Sequence, residues 1–108
     1  MKLIDTRALE STLAEFALRR NWDRFHTPRN LLLALTGEVG ELAEIFQWLR
    51  DDEAECIMRS DKAEHVKQEI ADVLLYLVRL AMVLEIDLDT AVRDKIALNA
   101  LKYPINDI

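Results

Sequence analysis

One cysteine, two glycines and two prolines are all that the 108-residue chain contains of those three residue types. A lone thiol excludes an internal disulfide and fits a reducing compartment. So little glycine and proline leaves few turns for a many-stranded sheet and favours long uninterrupted helices. Positive charge is also short, with 14 Lys and Arg against 20 Asp and Glu and a net charge of −6. That sign excludes a protein that grips a nucleic acid polymer through direct phosphate contacts. No segment offers the roughly 20 clean apolar residues of a membrane span, and Met1-Lys2-Leu3-Ile4-Asp5 lacks the apolar core of a signal peptide, so a cytosolic protein is expected. There are two histidines, and neither follows a glutamate by three, which argues against the Glu-x-x-His pairs of di-iron bundles. Cys56 has no histidine near it in sequence to support thiol catalysis.

What remains is apolar and acidic. Apolar residues make up 51%, enough to bury one core, and the length suits a single domain over residues 1–108. The expected class is all-α, with four helices. Asp5 or Thr6 can cap a first helix running to about Arg20, with Leu9, Leu13, Phe16 and Ala17 on its buried side. Residues 21–27 read as a loop dense in aromatic and hydrogen-bonding side chains, where His26 is expected to hydrogen-bond rather than ligate. Thr27 as N-cap with Pro28 at the first helical position opens helix two, expected to reach about Arg50. Asp51 to Ser60 reads as a connector with an irregular turn. Asp61 with Glu64 resembles a capping box and starts a third helix to about Leu84 or Glu85. Asp87 and Asp89 mark the start of a fourth, because acids complement the positive end of a helix, and Tyr103-Pro104 ends it.

The acids carry the chemical signal. At about 100° per residue, Leu31, Leu35, Leu42, Ile45 and Leu49 form one stripe of helix two, with Glu38 inside it and Glu41 at its edge. Glu69 and Asp72 repeat that three-residue spacing on helix three, beside a stripe of Val66, Ile70, Val73, Leu77, Leu80 and Leu84. Each pair shares a helix face. Counted from the connector, the pairs stand roughly 14 to 18 Å and roughly 12 to 17 Å along their helices, so an antiparallel hairpin brings them to one level. Four carboxylates gathered in low dielectric repel or take up protons; a hard cation removes the conflict, and oxygen-only ligands point to Mg²⁺ or Mn²⁺. Acidic pairs at this spacing are also common on solvated helix faces, but Glu38 interrupts an apolar stripe.

Glu38-x-x-Glu41, a gap of 27 residues and Glu69-x-x-Asp72 resemble the signature of the MazG-like all-α nucleoside triphosphate pyrophosphohydrolases. The runs from Trp22 to Leu35, from Gly37 to Trp48 and from Asp72 to Leu77 are similar to the dCTP pyrophosphatase branch, and Lys95, Asn99 and Tyr103-Pro104 extend the likeness over nearly the whole chain. The resemblance implies hydrolysis of a nucleoside triphosphate, most of all a deoxynucleotide such as dCTP, to the monophosphate and pyrophosphate in control of the nucleotide pool. It further implies Mg²⁺ held by Glu38, Glu41, Glu69 and Asp72. Trp22, Trp48 and Tyr76 take the positions of aromatic residues around the base, and Lys95 and Asn99 those of phosphate, sugar or base contacts. One departure is Leu13, which stands where the vertebrate-like members of the branch carry a histidine nine residues before the tryptophan, a position that bears on base selectivity. The alternative reading is a non-catalytic helical interaction module whose acids are surface or structural features.

Helix three is apolar around most of its circumference, since between Ala71 and Ile86 only Asp72, Arg79 and Glu85 are charged. Three other short helices cover too little of it, and an exposed patch of that size is uncommon on soluble monomers. A homo-oligomer is therefore expected, and the family resemblance implies a tetramer with pockets at or near subunit contacts.

Overall fold

Among residues 1–105, which the computed structural model describes, regular structure consists of five α-helices and two 3₁₀ turns, with no strand. They are α1 (Arg7–Arg19), α2 (Pro28–Phe46), α3 (Asp51–Glu55), α4 (Ala63–Val83) and α5 (Leu88–Lys102), with the 3₁₀ turns at Asp23–Phe25 and Ile57–Arg59. The all-α class is as expected, and the additional helix lies in the connector.

Local chemistry accounts for the boundaries. Thr27 Oγ1 accepts from Asn30 N at 3.2 Å and Pro28 occupies the first helical position of α2, while Asp87 Oδ1 accepts from Thr90 N at 3.2 Å to open α5. Helix two stops at Phe46 rather than Arg50. Asp51, Asp52 and Glu53 lie one after another, the arrangement that favours a new helix N-terminus, and Glu53 Oε1 accepts the Arg50 N–H at 2.9 Å to start α3. The capping box expected of Asp61 and Glu64 does not form; α4 begins after Lys62 with no side-chain cap. Ser60 organises that turn instead, its hydroxyl donating to Ile57 O at 2.6 Å and accepting from Lys62 N at 3.1 Å, and Glu64 pairs with Lys67. At α1, Asp5 Oδ1 accepts from Arg7 N at 3.1 Å, while the Thr6 hydroxyl donates to Glu10.

Two helices end in the same way. Asn21 and Glu85 both have φ of 57°, the left-handed conformation that closes a Schellman motif. The Trp22 and Ile86 N–H groups reach back to Ala17 O and Ala81 O, each at 2.9 Å. Asparagine tolerates this backbone better than most residues. The motif usually carries a contact between the residue after the left-handed one and the preceding turn, and here the Trp22 ring stands edge-on to Phe16 with centroids 5.5 Å apart.

The core forms where α2 pairs with α4 and α1 packs on α4, around Ala17, Leu31, Ile57, Val66, Val78 and Ala81. The pair is antiparallel: Ile45 at the end of α2 and Leu49 just after it share a hollow with Lys62 and His65 at the start of α4, while Glu38 lies against Glu69. The stripe of α2 faces inward as expected. On α4 the inward face is Val66, Glu69, Val78 and Ala81, whereas Ile70, Leu77 and Leu84 of the expected stripe are exposed together with Leu74. A helix apolar nearly all round does not declare its inner face by periodicity, and the side taken is the one that carries Glu69 inward.

Helix α5 stands apart. Asp89 is its only buried residue, and Ile96, Leu98 and Leu101 are exposed. Asp89 Oδ1 accepts from Leu3 N at 2.7 Å and Ile4 N at 3.1 Å, and Oδ2 from Arg93 Nε at 2.9 Å. Burial alone pushes this carboxyl up, but the three donors outweigh it and hold its pKa below the ordinary value. The described chain measures 51 × 40 × 24 Å with a radius of gyration of 17.2 Å, against about 13 Å for a compact domain of this size. Among the described residues, no helix is long and apolar enough to cross a membrane.

Candidate metal centre and aromatic pocket

Pairing α2 with α4 puts Glu38 and Glu41 against Glu69. One carboxylate oxygen from each lies within 4.8 Å of the others, and Glu38 Oε2 and Glu69 Oε2 are buried with no hydrogen-bond partner. Ionised carboxylates only accept, so these two oxygens face one another without a donor. The conflict appears in the Glu38 carboxyl, pushed up to about 7 by the facing Glu69 first, then by burial, Glu41 and the charge of Asp72. Such a group is met by a proton or by a cation. The all-oxygen donor set with two orphaned oxygens fits a hard divalent ion. Asp72, one turn along α4, lies outside the triplet, although its charge acts on Glu38. His65 Nε2 stands 3.3 Å from Glu69 Oε1, on the oxygen opposite the orphaned one.

Two hollows flank the acids. One, of about 270 Å³, lies between α1, the turn after it and α4, and is lined by Phe16, Trp22, His26, Asp72, Tyr76 and Arg79 among others. Its walls are well braced. The Schellman motif fixes Trp22, Asn30 Nδ2 donates to Phe25 O at 3.0 Å across the turn, and Arg79 spans from α4 to His26 and Asp23 at 3.0 and 2.8 Å. The second hollow, about 700 Å³ and open, lies on the connector side, between Glu41, Trp48, Lys62, His65 and Glu69.

The expected aromatic set is thus divided. Trp22 and Tyr76 share the first hollow with Asp72, and Trp48, 86% exposed, belongs to the second. Lys95 and Asn99 sit on α5 and line neither hollow. His26, Arg79, Lys62 and His65 were not marked as site residues in the sequence. Asp72, Tyr76 and Arg79 follow one another by four and three residues, so a single α4 face was the available signal for Arg79; the others depend on chain segments meeting in space.

A model of the MazG-like family matches residues 34–108. The chain is 50% identical over 95 residues to dCTP pyrophosphatase 1 of Rattus norvegicus, covering 86% of this chain and 55% of that protein. To dCTP pyrophosphatase 1 of Homo sapiens it is 51% identical over 92 residues, covering 84% and 54%. It therefore spans about half the length of the curated relatives it matches. The crystal structure of a pyrophosphatase from Archaeoglobus fulgidus superposes with a TM-score of 0.86 at 44% identity, covering 93% of both chains. Family model, relatives and superposition agree with the paired acidic helices described above: this chain belongs to the MazG-like family.

Proposed function

We propose that this chain is a divalent-metal-dependent nucleoside triphosphate pyrophosphohydrolase acting on deoxynucleotides, dCTP among them, in control of the cytosolic nucleotide pool. The observation that carries the reading is the acidic triplet with two buried orphan oxygens, placed beside an aromatic hollow that shares Asp72. A non-catalytic module would have no use for that uncompensated charge.

Glu38, Glu41 and Glu69, with Asp72 at the margin toward the hollow, would hold Mg²⁺. The ion, when bound, neutralises phosphate charge, polarises phosphorus and lowers the pKa of a bound water. The aromatic faces of Trp22 and Tyr76 suit stacking on a base, which leaves the triphosphate to run toward the acids past Asp72. Attack of water at the α-phosphorus forms one P–O bond and breaks the bond to the α–β bridging oxygen, giving monophosphate and pyrophosphate. A carboxylate oxygen of this acidic group that is not turned to the ion would take the proton from water. The exposed stripe of α4 and the uncovered faces of α5 support a homo-oligomer, which we take as a tetramer in which Lys95 and Asn99 of one subunit reach the site of another.

The test is a screen of the eight NTPs and dNTPs with Mg²⁺. Pyrophosphate and monophosphate in equal amounts from the deoxynucleotides, and none with EDTA, is the expected result. Release of orthophosphate with diphosphate, or turnover indifferent to EDTA, would overturn the reading.

A further inference from the structure

The Arg79 side chain, 12% exposed, is turned inward from α4. Its Nε donates to His26 Nδ1 at 3.0 Å, and a terminal nitrogen donates to Asp23 Oδ1 at 2.8 Å. A guanidinium has no acceptor and does not give up its proton in a protein. His26 Nδ1 must therefore offer a lone pair, which places the imidazole proton on Nε2 and leaves the ring neutral. Burial first and the Arg79 charge second hold the His26 pKa below its ordinary value, against a smaller opposing pull from Asp23. An imidazolium would set one N–H against another. With Nδ1 taken by Arg79, the ring presents a fixed donor at Nε2. It lies beside Trp22, with centroids 5.9 Å apart, on the wall of the 270 Å³ hollow.

We propose that His26 is a specificity-determining residue, locked by Arg79 as a neutral Nε2–H donor that reads a lone-pair acceptor on the nucleobase. The inference rests on the nucleotide reading above and adds the chemistry of selection. Set opposite N3, a donor that cannot become an acceptor separates the pyrimidines, since cytosine offers a bare N3 where thymine and uracil carry N3–H. Arg79 acts through His26 and is a positioning residue. A site built to donate penalises the wrong edge by leaving its buried partner unmatched. The hollow, of about 270 Å³ and just below the usual range of ligand pockets, suits one ring lying against Trp22.

The experiment compares kcat/KM for dCTP, dTTP and dUTP in wild type, His26→Phe, His26→Gln and Arg79→Leu, with ¹⁵N chemical shifts of the His26 ring in wild type and Arg79→Leu. Wild type is expected to show an unprotonated Nδ1 and a protonated Nε2, and Arg79→Leu a mixture of tautomers. His26→Phe should lower kcat/KM for dCTP by about tenfold or more and flatten the preference over dTTP and dUTP. His26→Gln keeps a neutral donor and should restore part of that preference. Binding of inorganic tripolyphosphate should be unchanged in every variant. Preserved selectivity in His26→Phe, an equal loss for tripolyphosphate, or a wild-type ring protonated on Nδ1 would overturn the inference. Absence of pyrophosphate release from any nucleotide would instead count against the enzymatic reading itself.

Discussion

Glu38 concentrates the residue-scale argument, because the property that makes it suspicious in sequence also makes it unstable in structure. Its carboxyl is raised from an ordinary 4.5 to about 7, so between those values the folded protein holds a proton that the unfolded chain releases. Without metal, stability should therefore fall as pH rises from about 5 to about 7. Glu38→Gln removes the titration, and its melting temperature should stay level across that window and exceed that of wild type at pH 7. Mg²⁺ has to displace the same proton, so its stabilising effect should grow as pH rises through about 7. Thermal melts at several pH values, with EDTA and with Mg²⁺, decide this. A metal-free wild type with a flat profile would mean that Glu38 is solvated and the triplet is not a binding site.

At the scale of elements, the termini of the helices were legible wherever one side chain decided them. Thr27-Pro28 and Asp87 cap as their chemistry requires, because the signal and the effect lie within four residues. Asp61 with Glu64 has the same pattern and fails, since Ser60 captures the turn first. The inner face of α2 was legible from its stripe, but that of α4 was not, because periodicity loses its direction once most faces are apolar. The acids escaped that limit: their spacing along two helices of a hairpin fixes a common level whatever the packing details. Trp22 and Trp48 could not be separated in sequence, since which side of the acids each occupies depends on how the loop after α1 and the connector fold back. The left-handed terminus of α4 yields its own prediction. Glutamate at φ 57° is strained where glycine is not, so Glu85→Gly should stabilise the fold by about 0.5 to 1 kcal/mol. Urea unfolding with an unchanged m-value measures it, and a loss of stability would show that the Glu85 side chain makes a contact worth more than the backbone strain.

For the whole molecule, shape is the main clue. A 17.2 Å radius of gyration, an α4 face of Ile70, Leu74 and Leu77, and an α5 with one buried residue describe a chain whose apolar surface is not closed on itself. Helix α5 leaves Lys95 and Asn99 outside both hollows of their own chain, so the site expected from the family likeness would be completed by a second copy that supplies them. Sedimentation equilibrium should find a species several times 12.5 kDa. Mixed oligomers of Glu69→Gln and Lys95→Ala chains, each inactive alone, should regain activity, because some sites then combine an intact triplet with an intact lysine. A monomer that remains fully active at nanomolar concentration would exclude both the assembly and the shared site.

The clasp between Asp89 and the amides of Leu3 and Ile4 joins residues 86 and 85 positions apart. Closing so large a loop early in folding is entropically unfavourable, while the α2–α4 hairpin forms across a short connector. The clasp is therefore expected to form last, after the rate-limiting barrier has been crossed. Asp89→Ala, which removes the acceptor of both amides, should accelerate unfolding while leaving the folding rate nearly unchanged, a φ-value near zero. In stopped-flow measurements the two limbs of the chevron then respond unequally, and equal displacement of both would place the clasp in the folding nucleus. By this reasoning Asp89 governs how long the folded chain lasts rather than how quickly it is made.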